Sequence, residues 1–178
     1  MVYSQSKVFP LTHITAENGL SDNQVTCIIR DYQGFIWIGT KDGLNRYDGR
    51  EFYVFRHDKN DPSSICGNSI TCLELDSDSL LWIGTATSGF CCYNPKTGKF
   101  TTYNKSVLPL FSNGINVIRF NKNKNEIWIG SNNGGLQFFN VSMRKIVSKP
   151  DTIKGSYYDI AFLKNKAYLG RISGYLRI

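Results

Sequence analysis

Apolar and polar positions follow one another in short runs along this chain, and glycine-containing turns separate the runs. Residues 24–30, QVTCIIR, are rich in β-branched residues, and the polar turn after them ends at Gly34. Residues 35–40, FIWIGT, form a second run. Short apolar runs bounded by turn formers predict β-strands joined by hairpins. No segment of useful length has the apolar period of a helix, so the pattern predicts an all-β protein.

Two Asp-Gly pairs divide the next part of the chain. Asp42 and Gly43 precede the run LNRY, and Asp48 and Gly49 precede the run EFYVF that ends at residue 55. An Asp-Gly pair favours a type I′ hairpin turn, because Gly adopts positive φ without a steric penalty. Four strands connected only by hairpins predict a meander, a sheet in which each strand pairs with the next.

The tryptophan-containing run is repeated. It recurs as LLWIGT, EIWIGS and a weaker AYLG, with 45 residues from Trp37 to Trp82, 46 from Trp82 to Trp128, and 40 from Gly130 to Gly170. Periods of about 40 to 50 residues built from short strands are typical of β-propeller blades, each with four antiparallel strands. The repeat predicts about four blades of a single β-propeller within residues 1–178, approximately at 18–55, 68–104, 113–149 and 155–178.

One further strand is predicted before the first copy. Residues 7–15, KVFPLTHIT, have the pattern of the outer strand of a blade whose other strands lie elsewhere. Propellers commonly close their ring by pairing one terminus with the blade formed by the other. A closed four-bladed ring is one interpretation. The other, which the sequence favours, is part of a seven-bladed ring, which at this repeat length needs about 315 residues.

The net charge of +7 raises the question of nucleic-acid binding. Non-specific affinity for phosphate comes from clustered Lys and Arg. Here the basic residues are scattered, and the densest groups, at 122–125 and 144–150, lie in or beside predicted turns. We therefore predict a solvated basic surface and no direct contact with nucleic acid.

Other classes of protein are disfavoured by what the sequence lacks. No stretch approaches the roughly 20 consecutive apolar residues of a membrane helix, and residues 1–10 lack the apolar core of a secretory signal. The five cysteines show neither C-x-x-C nor a spacing that suits zinc, so we predict no metal site and no cofactor. Cys27 and Cys72 align with Val117 of the third copy, which predicts a small buried apolar group rather than a redox role.

The repeated aromatic residues are predicted to be structural. Trp37, Trp82 and Trp128 occupy the same position in three copies, and Tyr168 takes it in the fourth. A sugar site normally uses one or two aromatic residues with special surroundings. An aromatic residue repeated in every blade predicts packing between adjacent sheets.

The polar candidates do not form a catalytic set. Asp31, Asp42 and Asp48 each open or precede a turn, where an Asp side chain bonds its own backbone. His13 and His57 have no triad partner and no metal-ligand spacing. We predict no catalytic residues, and the sequence does not identify the ligand-binding residues.

Two kinds of position remain candidates for binding. Arg46 lies on the third strand, where a simple count from each tryptophan aligns it with Cys91 and Gln137. Variation within a constant frame is typical of a surface or ligand position. The loops at 56–68 and 106–114 are the other candidates, because loops vary without disturbing the blades.

The amino-acid sequence of the repeats resembles that of a known family. Residues 14–55 are similar, nearly word for word, to the repeat of the two-component regulator propeller family, whose typical pattern begins GLS-x-N-x-V and continues D-x-x-G-x-(I/L)-W-(I/V)-G-T-x-x-G-(L/I)-x-(R/K)-Y. The matching positions are Gly19, Leu20, Ser21, Asn23, Val25, Asp31, Gly34, Trp37, Gly39, Thr40, Gly43, Leu44, Arg46 and Tyr47. Three copies within residues 18–140 match well, and the fourth matches loosely.

The resemblance implies a function that composition does not. It implies a non-catalytic sensor propeller in the periplasm, from a hybrid two-component histidine kinase whose kinase activity resides in another segment. It also implies an oligosaccharide ligand, a dimeric sensor, and control of polysaccharide-utilisation genes. Two alternatives stay open: a propeller lyase or hydrolase acting on a glycan or cyclic peptide, and a protein-interaction scaffold.

Overall fold

The structure, a computed structural model, describes residues 11–147, 154–172 and 174–178. These residues form four antiparallel sheets, preceded by one short 3₁₀ turn at Ala16–Asn18, and the prediction of an all-β protein is confirmed. Within the described residues, no helix is long and apolar enough to cross a membrane.

The strands follow the chain order. The first sheet contains β1 (Val25–Arg30), β2 (Ile36–Thr40), β3 (Gly43–Tyr47) and β4 (Phe52–Phe55). The second contains β5 (Ile70–Leu75), β6 (Leu81–Thr85), β7 (Phe90–Asn94) and β8 (Lys99–Tyr103). The third contains β9 (Ile115–Asn121), β10 (Glu126–Ser131), β11 (Gly135–Asn140) and β12 (Lys145–Val147). The fourth contains β13 (Asp159–Leu163), β14 (Lys166–Arg171) and β15 (Gly174–Arg177).

The four sheets are successive blades of a β-propeller. Each is a meander in which every strand pairs with its sequence neighbour. The first strands of consecutive sheets contact each other, β1 with β5, β5 with β9, and β9 with β13. This arrangement puts the first strands innermost, as in propellers, and the fold prediction is confirmed.

Each core cluster joins two blades. The three clusters of buried side chains lie between the first and second, the second and third, and the third and fourth sheets. Because no sheet buries both faces by itself, each blade depends on its neighbours for stability, as expected of a repeat protein.

The glycine that follows each tryptophan by two residues sets the distance between blades. A Cβ built on Gly39 would lie 2.5 Å from Cys27 Sγ and 2.6 Å from Cγ2 of Ile70 in the next blade. At Gly130, a Cβ would lie 2.6 Å from Val117 Cγ1 and 2.9 Å from Cβ of Tyr157. The first strand of the next blade therefore approaches the backbone too closely for any side chain. The same crowding explains why residue 27 and its counterparts are small.

The first Asp-Gly turn differs from the prediction. A type I′ turn needs positive φ at both central residues. Thr40 pairs with Gly43, so the central residues are Lys41 and Asp42, and neither has positive φ. Gly43, with φ of +129°, is the first residue of β3 and carries the left-handed conformation there. The type I′ assignment was wrong because the turn closes one residue earlier than the Asp-Gly pair indicates.

The strand predicted at 7–15 lies partly outside the described residues. Residues 11–15 belong to no strand, and the chain from Thr15 instead enters the 3₁₀ turn. There Thr15 Oγ1 accepts a hydrogen bond from Glu17 N, and Asn18 Oδ1 accepts one from Thr15 N. Residues 7–10 are not described, so the closing strand stays a prediction.

Candidate functional site

The tryptophans pack between blades, as predicted. Trp37 and Trp82 are each 2% exposed and Trp128 is 4% exposed. Each ring meets an aromatic ring of the following blade: Trp37 meets Tyr93 at 5.2 Å between ring centroids, Trp82 meets Phe139 at 5.5 Å, and Trp128 meets Phe162 at 5.0 Å. These rings serve mainly to pack adjacent blades together, and only their edges border the grooves between blades.

The turn aspartates have a second task that the sequence analysis missed. Asp31 Oδ1 accepts hydrogen bonds from the backbone N–H groups of Gln33 and Phe35, and its Oδ2 accepts one from Trp37 Nε1 at 2.7 Å. Asp76 repeats this in the second blade and accepts from Trp82 Nε1 at 2.8 Å. One carboxylate therefore shapes the turn and fixes the tryptophan ring. The signal was the constant spacing of six residues between the Asp and the Trp.

Asp48 and Asp42 differ in what they bond. Asp48 Oδ1 accepts from the backbone N–H groups of Arg50 and Glu51 at 2.8 Å each, and these bonds lower the pKa of the Asp48 carboxyl. Asp42 does not bond its own backbone in this way. Its carboxylate pairs with Arg56, with 3.1 Å between Asp42 Oδ2 and Arg56 Nη2. The prediction for Asp48 is confirmed, and that for Asp42 is wrong because Arg56, in the loop at 56–68 that connects the first blade to the second, is within reach.

The third-strand alignment predicted for Arg46 was wrong by one residue. In the sheets, Trp37 pairs with Arg46, Trp82 with Cys92, and Trp128 with Phe138. The residue that pairs with the tryptophan lies nine positions after it in the first blade and ten positions after it in the next two, because the turn between the second and third strands is longer there, so counting from tryptophan misplaces the later copies. The Arg46 guanidinium lies over the Phe35 ring at 4.8 Å and the Tyr53 ring at 5.5 Å.

The residue of the first blade that corresponds to Cys91 and Gln137 is Asn45, whose side chain is buried. Asn45 Oδ1 accepts from Ser21 N at 2.8 Å, and Asn45 Nδ2 donates to Ser21 Oγ at 2.8 Å. Gln137 plays the same part for the loop at 106–114. Its side chain accepts a hydrogen bond from Phe111 N and donates one to the Pro109 carbonyl. Both side chains fasten the segment that leads into their own blade, so neither is free to bind a ligand.

The candidate loops are partly core. In the loop at 56–68, Ile65 is fully buried and Cys66 is 7% exposed, whereas residues 57–62 are exposed. The Ser63 carbonyl also accepts from Phe100 N at 3.0 Å, which ties the loop to β8. In the loop at 106–114, Leu110 is buried and Phe111 is 52% exposed. Only the tips of these loops are open to a partner.

The inner strands carry a chain of charges. Arg119 on β9 lies between Glu74 on β5 and Asp159 on β13, with 3.7 Å from Arg119 Nη1 to Glu74 Oε2 and 2.9 Å from Nη2 to Asp159 Oδ1. Burial raises the pKa of the Glu74 carboxyl, although the nearby N–H of Phe120 and the Arg119 charge oppose the shift. These pairs link three consecutive blades near the axis.

Among the described residues, three grooves lie on the rim opposite the loops that connect consecutive blades, one between each pair of neighbouring blades. Their volumes are about 570 Å³ between the first and second blades, 480 Å³ between the second and third, and 760 Å³ between the third and fourth. We call the last one the lysine groove. Its lining consists of Phe120, Asn121, Lys122, Asn123, Lys124, Trp128, Phe138, Phe162, Lys164, Asn165, Lys166, Ala167 and Ile178.

The histidines do not form a catalytic set. His57 Nδ1 lies 2.8 Å from the Ile65 carbonyl oxygen, and the backbone N–H of His57 donates to Asn68 Oδ1. His13 is exposed. Among the residues that the structure describes, no group of three or more His, Cys, Asp or Glu side chains is placed to hold a metal ion.

The cysteines are free thiols, and four of them are buried. Burial raises the pKa of Cys72 and of Cys92 to about 12, and it also raises the pKa of Cys27 and Cys91.

Because the thiolate is the reactive form of a cysteine, we expect these thiols to react slowly with a disulfide reagent at mildly alkaline pH in the folded chain. All five thiols should react at once in guanidinium. Rapid reaction of a buried thiol in the folded chain would show that burial does not protect it.

Comparison with known proteins bears on the repeats. The family model described as "Two component regulator propeller" matches residues 19–42 and 64–87, which contain the first two tryptophan runs. These two segments of the chain therefore match the two-component regulator propeller repeat.

A curated relative of the regulator propeller repeats is histidine kinase P4 of Formosa agariphila. It is 39% identical over 62 residues, which are 35% of this chain and 4% of that protein. The chain thus spans a small fraction of the relative that it matches.

Two solved extracellular domains share the fold. The extracellular domain of BT3049 from B. thetaiotaomicron, named as a hybrid two component system, superposes with a TM-score of 0.83 at 24% identity, over 94% of this chain and 25% of that one. The extracellular domain of BT4673 from the same organism, named as a one component system, gives a TM-score of 0.73 at 22% identity, over 92% and 25%. This chain corresponds to about a quarter of each domain.

Proposed function

We propose that the chain is part of the non-catalytic sensor propeller of a hybrid two-component signalling protein, and that it lies outside the cytoplasmic membrane. In this proposal the blades belong to a seven-bladed ring, bind a carbohydrate-derived ligand and act in a dimer. Ligand binding there controls transcription of polysaccharide-utilisation genes through a kinase segment elsewhere in the protein.

The matched repeats carry this proposal. Blades one and two match the regulator propeller model at the positions that build the turn, the tryptophan strand and the close glycine. Two solved domains with the same fold are named as extracellular parts of signalling systems, which supports a location outside the membrane. The side chains that could take part in catalysis are engaged in structural contacts, which supports a non-catalytic role. His57 Nδ1 lies beside a backbone carbonyl, and the turn aspartate Asp31 accepts a hydrogen bond from the Trp37 indole.

The test is a thermal melt of the 178-residue chain with a panel of oligosaccharides released from polysaccharides. A ligand at a hundredfold excess over its Kd stabilises the folded state by about 2.7 kcal/mol. For a domain of this size we expect an increase in Tm of about 5 °C or more with one class of oligosaccharide. Constituent monosaccharides at the same concentration are the control. If no oligosaccharide changes Tm, the sensor proposal for this chain fails.

The same mixtures separate a sensor from an enzyme. Chromatography after incubation should recover each oligosaccharide unchanged if the propeller only binds. Shortened or unsaturated products would instead favour the propeller lyase or hydrolase.

A further inference from the structure

The lysine groove departs from the other two grooves in charge. The groove between the first and second blades is lined by Asp31, Asp78 and one lysine, and the next groove by Asp78 together with Lys99 and Arg144. The lysine groove is lined by four lysines, and no acidic residue lines it. The residue four positions before the tryptophan is Asp78 in the second blade and Lys124 in the third, so this turn position changes from acidic to basic and the lysines are not a constant feature of the blade.

The fold does not require these lysines. They lie at the turn between the first and second strands of a blade, where Asp31 and Asp76 hold the tryptophans of the first two blades. In the third blade, Glu126 takes over that bond and accepts from Trp128 Nε1 at 3.2 Å. Lys164 even adopts φ of +54°, a conformation that costs a lysine more than a glycine or asparagine.

The lysines are available to an anionic partner. Lys122, Lys124, Lys164 and Lys166 are exposed. Among the described residues, the ion pairs involve Arg56 and Arg119 and none of these lysines. Lys124 Nζ lies 5.6 Å from the centre of the Trp128 ring, above the floor of the groove. A ligand that brings negative charge to this rim would meet several ammonium groups, none of which pairs with an Asp or Glu side chain among the described residues.

The floor of the groove is apolar and aromatic. Trp128 and Phe138 form its buried base, and the half-buried Phe120 and Phe162 form its more accessible sides. The volume of about 760 Å³ lies within the range of small-molecule sites. A ring with an apolar face can pack on such a floor while its charged substituents point to the lysines at the rim.

We propose that the lysine groove binds an anionic sugar, namely an oligosaccharide whose rings bear carboxylate or sulfate groups. The choice of a sugar rests on the proposed function, whereas the choice of negative charge rests on the four lysines alone. The groove would then be the place where the sensor distinguishes acidic from neutral glycan fragments.

The test is isothermal titration of the 178-residue chain with three saccharides of equal ring number: tetragalacturonic acid, a chondroitin sulfate tetrasaccharide and maltotetraose. We expect binding of at least one acidic saccharide, weakening as salt is raised, and no binding of maltotetraose. The two acidic saccharides distinguish carboxylate from sulfate as the recognised group. Polyglutamate of similar charge tests whether the sugar body matters.

Paired variants test the site. Lys124→Gln with Lys166→Gln should weaken the acidic saccharide about tenfold or more, because two charge-assisted contacts are lost. Lys96→Gln with Lys99→Gln removes the same charge from the other grooves and should change affinity less than about twofold. Circular dichroism of each variant would show that the fold is retained.

The possible outcomes separate the two proposals. If maltotetraose binds as well as the acidic saccharides, or if both variant pairs lose affinity equally, the groove assignment is overturned while carbohydrate sensing stands. If polyglutamate binds as tightly with the same lysine dependence, the groove recognises acidic peptide and the sugar assignment is overturned. If no saccharide binds, the acidic-sugar proposal fails, and the thermal melts with the full oligosaccharide panel decide the sensor proposal separately.

Discussion

Trp82→Ala should cost about 3–5 kcal/mol of the free energy of unfolding, the cost expected for removing a buried tryptophan. Trp82 is 2% exposed and its ring contacts aromatic rings of two blades, Tyr103 in its own and Phe139 in the next. Its Nε1 also satisfies Asp76 Oδ2, so the truncation leaves both a cavity and a buried carboxylate oxygen without its donor. Urea denaturation followed by far-UV circular dichroism measures the loss.

Two comparison variants divide that loss into its parts. Trp82→Phe keeps a ring but removes the indole N–H, and we expect a smaller cost of about 1–3 kcal/mol. Tyr175→Ala removes an aromatic ring that is 77% exposed and should change stability by no more than about 0.5 kcal/mol. An equal loss for Trp82→Ala and Tyr175→Ala would mean that the tryptophan does not hold the blades together.

Gly84→Ala should destabilise the fold by about 1–3 kcal/mol, although it adds only one methyl group. The new Cβ would meet Cys72 Sγ of the same blade, and it would lie 2.9 Å from Cγ2 of Ile115 in the next blade. Both neighbours are buried, so neither can move without disturbing the interface between blades. Chemical denaturation of the variant measures the effect.

The matched control for Gly84→Ala is Gly170→Ala in the fourth blade. Gly170 has the same place in the repeat, but its nearest neighbour is Asp159 Cβ at 3.3 Å. We expect a cost below about 0.5 kcal/mol there. A double variant, Gly84→Ala with Cys72→Ala, should recover part of the loss because the Sγ atom is gone. A Gly84→Ala protein as stable as the parent would disprove the close approach.

Repetition is what made the fold predictable from the sequence. Trp37 taken alone could be a ligand contact, but the recurrence of tryptophan at the period of a blade indicated packing between blades. The burial of all three tryptophans confirms that packing. The strand pattern was readable because hairpin meanders depend on neighbouring residues, which a sequence displays directly.

The parts that were not predicted depend on atoms brought together by folding. The bond from Trp37 to Asp31 crosses a hairpin, and the pairing of Asp42 with Arg56 spans two strands and the turn between them. The misplacement of Arg46 arose because one extra loop residue changes the pairing of every residue after it. The lysine groove combines turns of two blades, so its charge is apparent only when residues 122–124 and 164–166 are side by side.

The bond between a carboxylate and each indole makes the tryptophans natural reporters. The chain has three tryptophans, one in each of the first three blades, and each Nε1–H donates to an acidic side chain. Three indole cross-peaks in a nitrogen–proton correlation spectrum would therefore follow the three blades separately. Trp128 also borders the lysine groove, so its peak would move when a ligand enters there while the Trp37 peak stays in place.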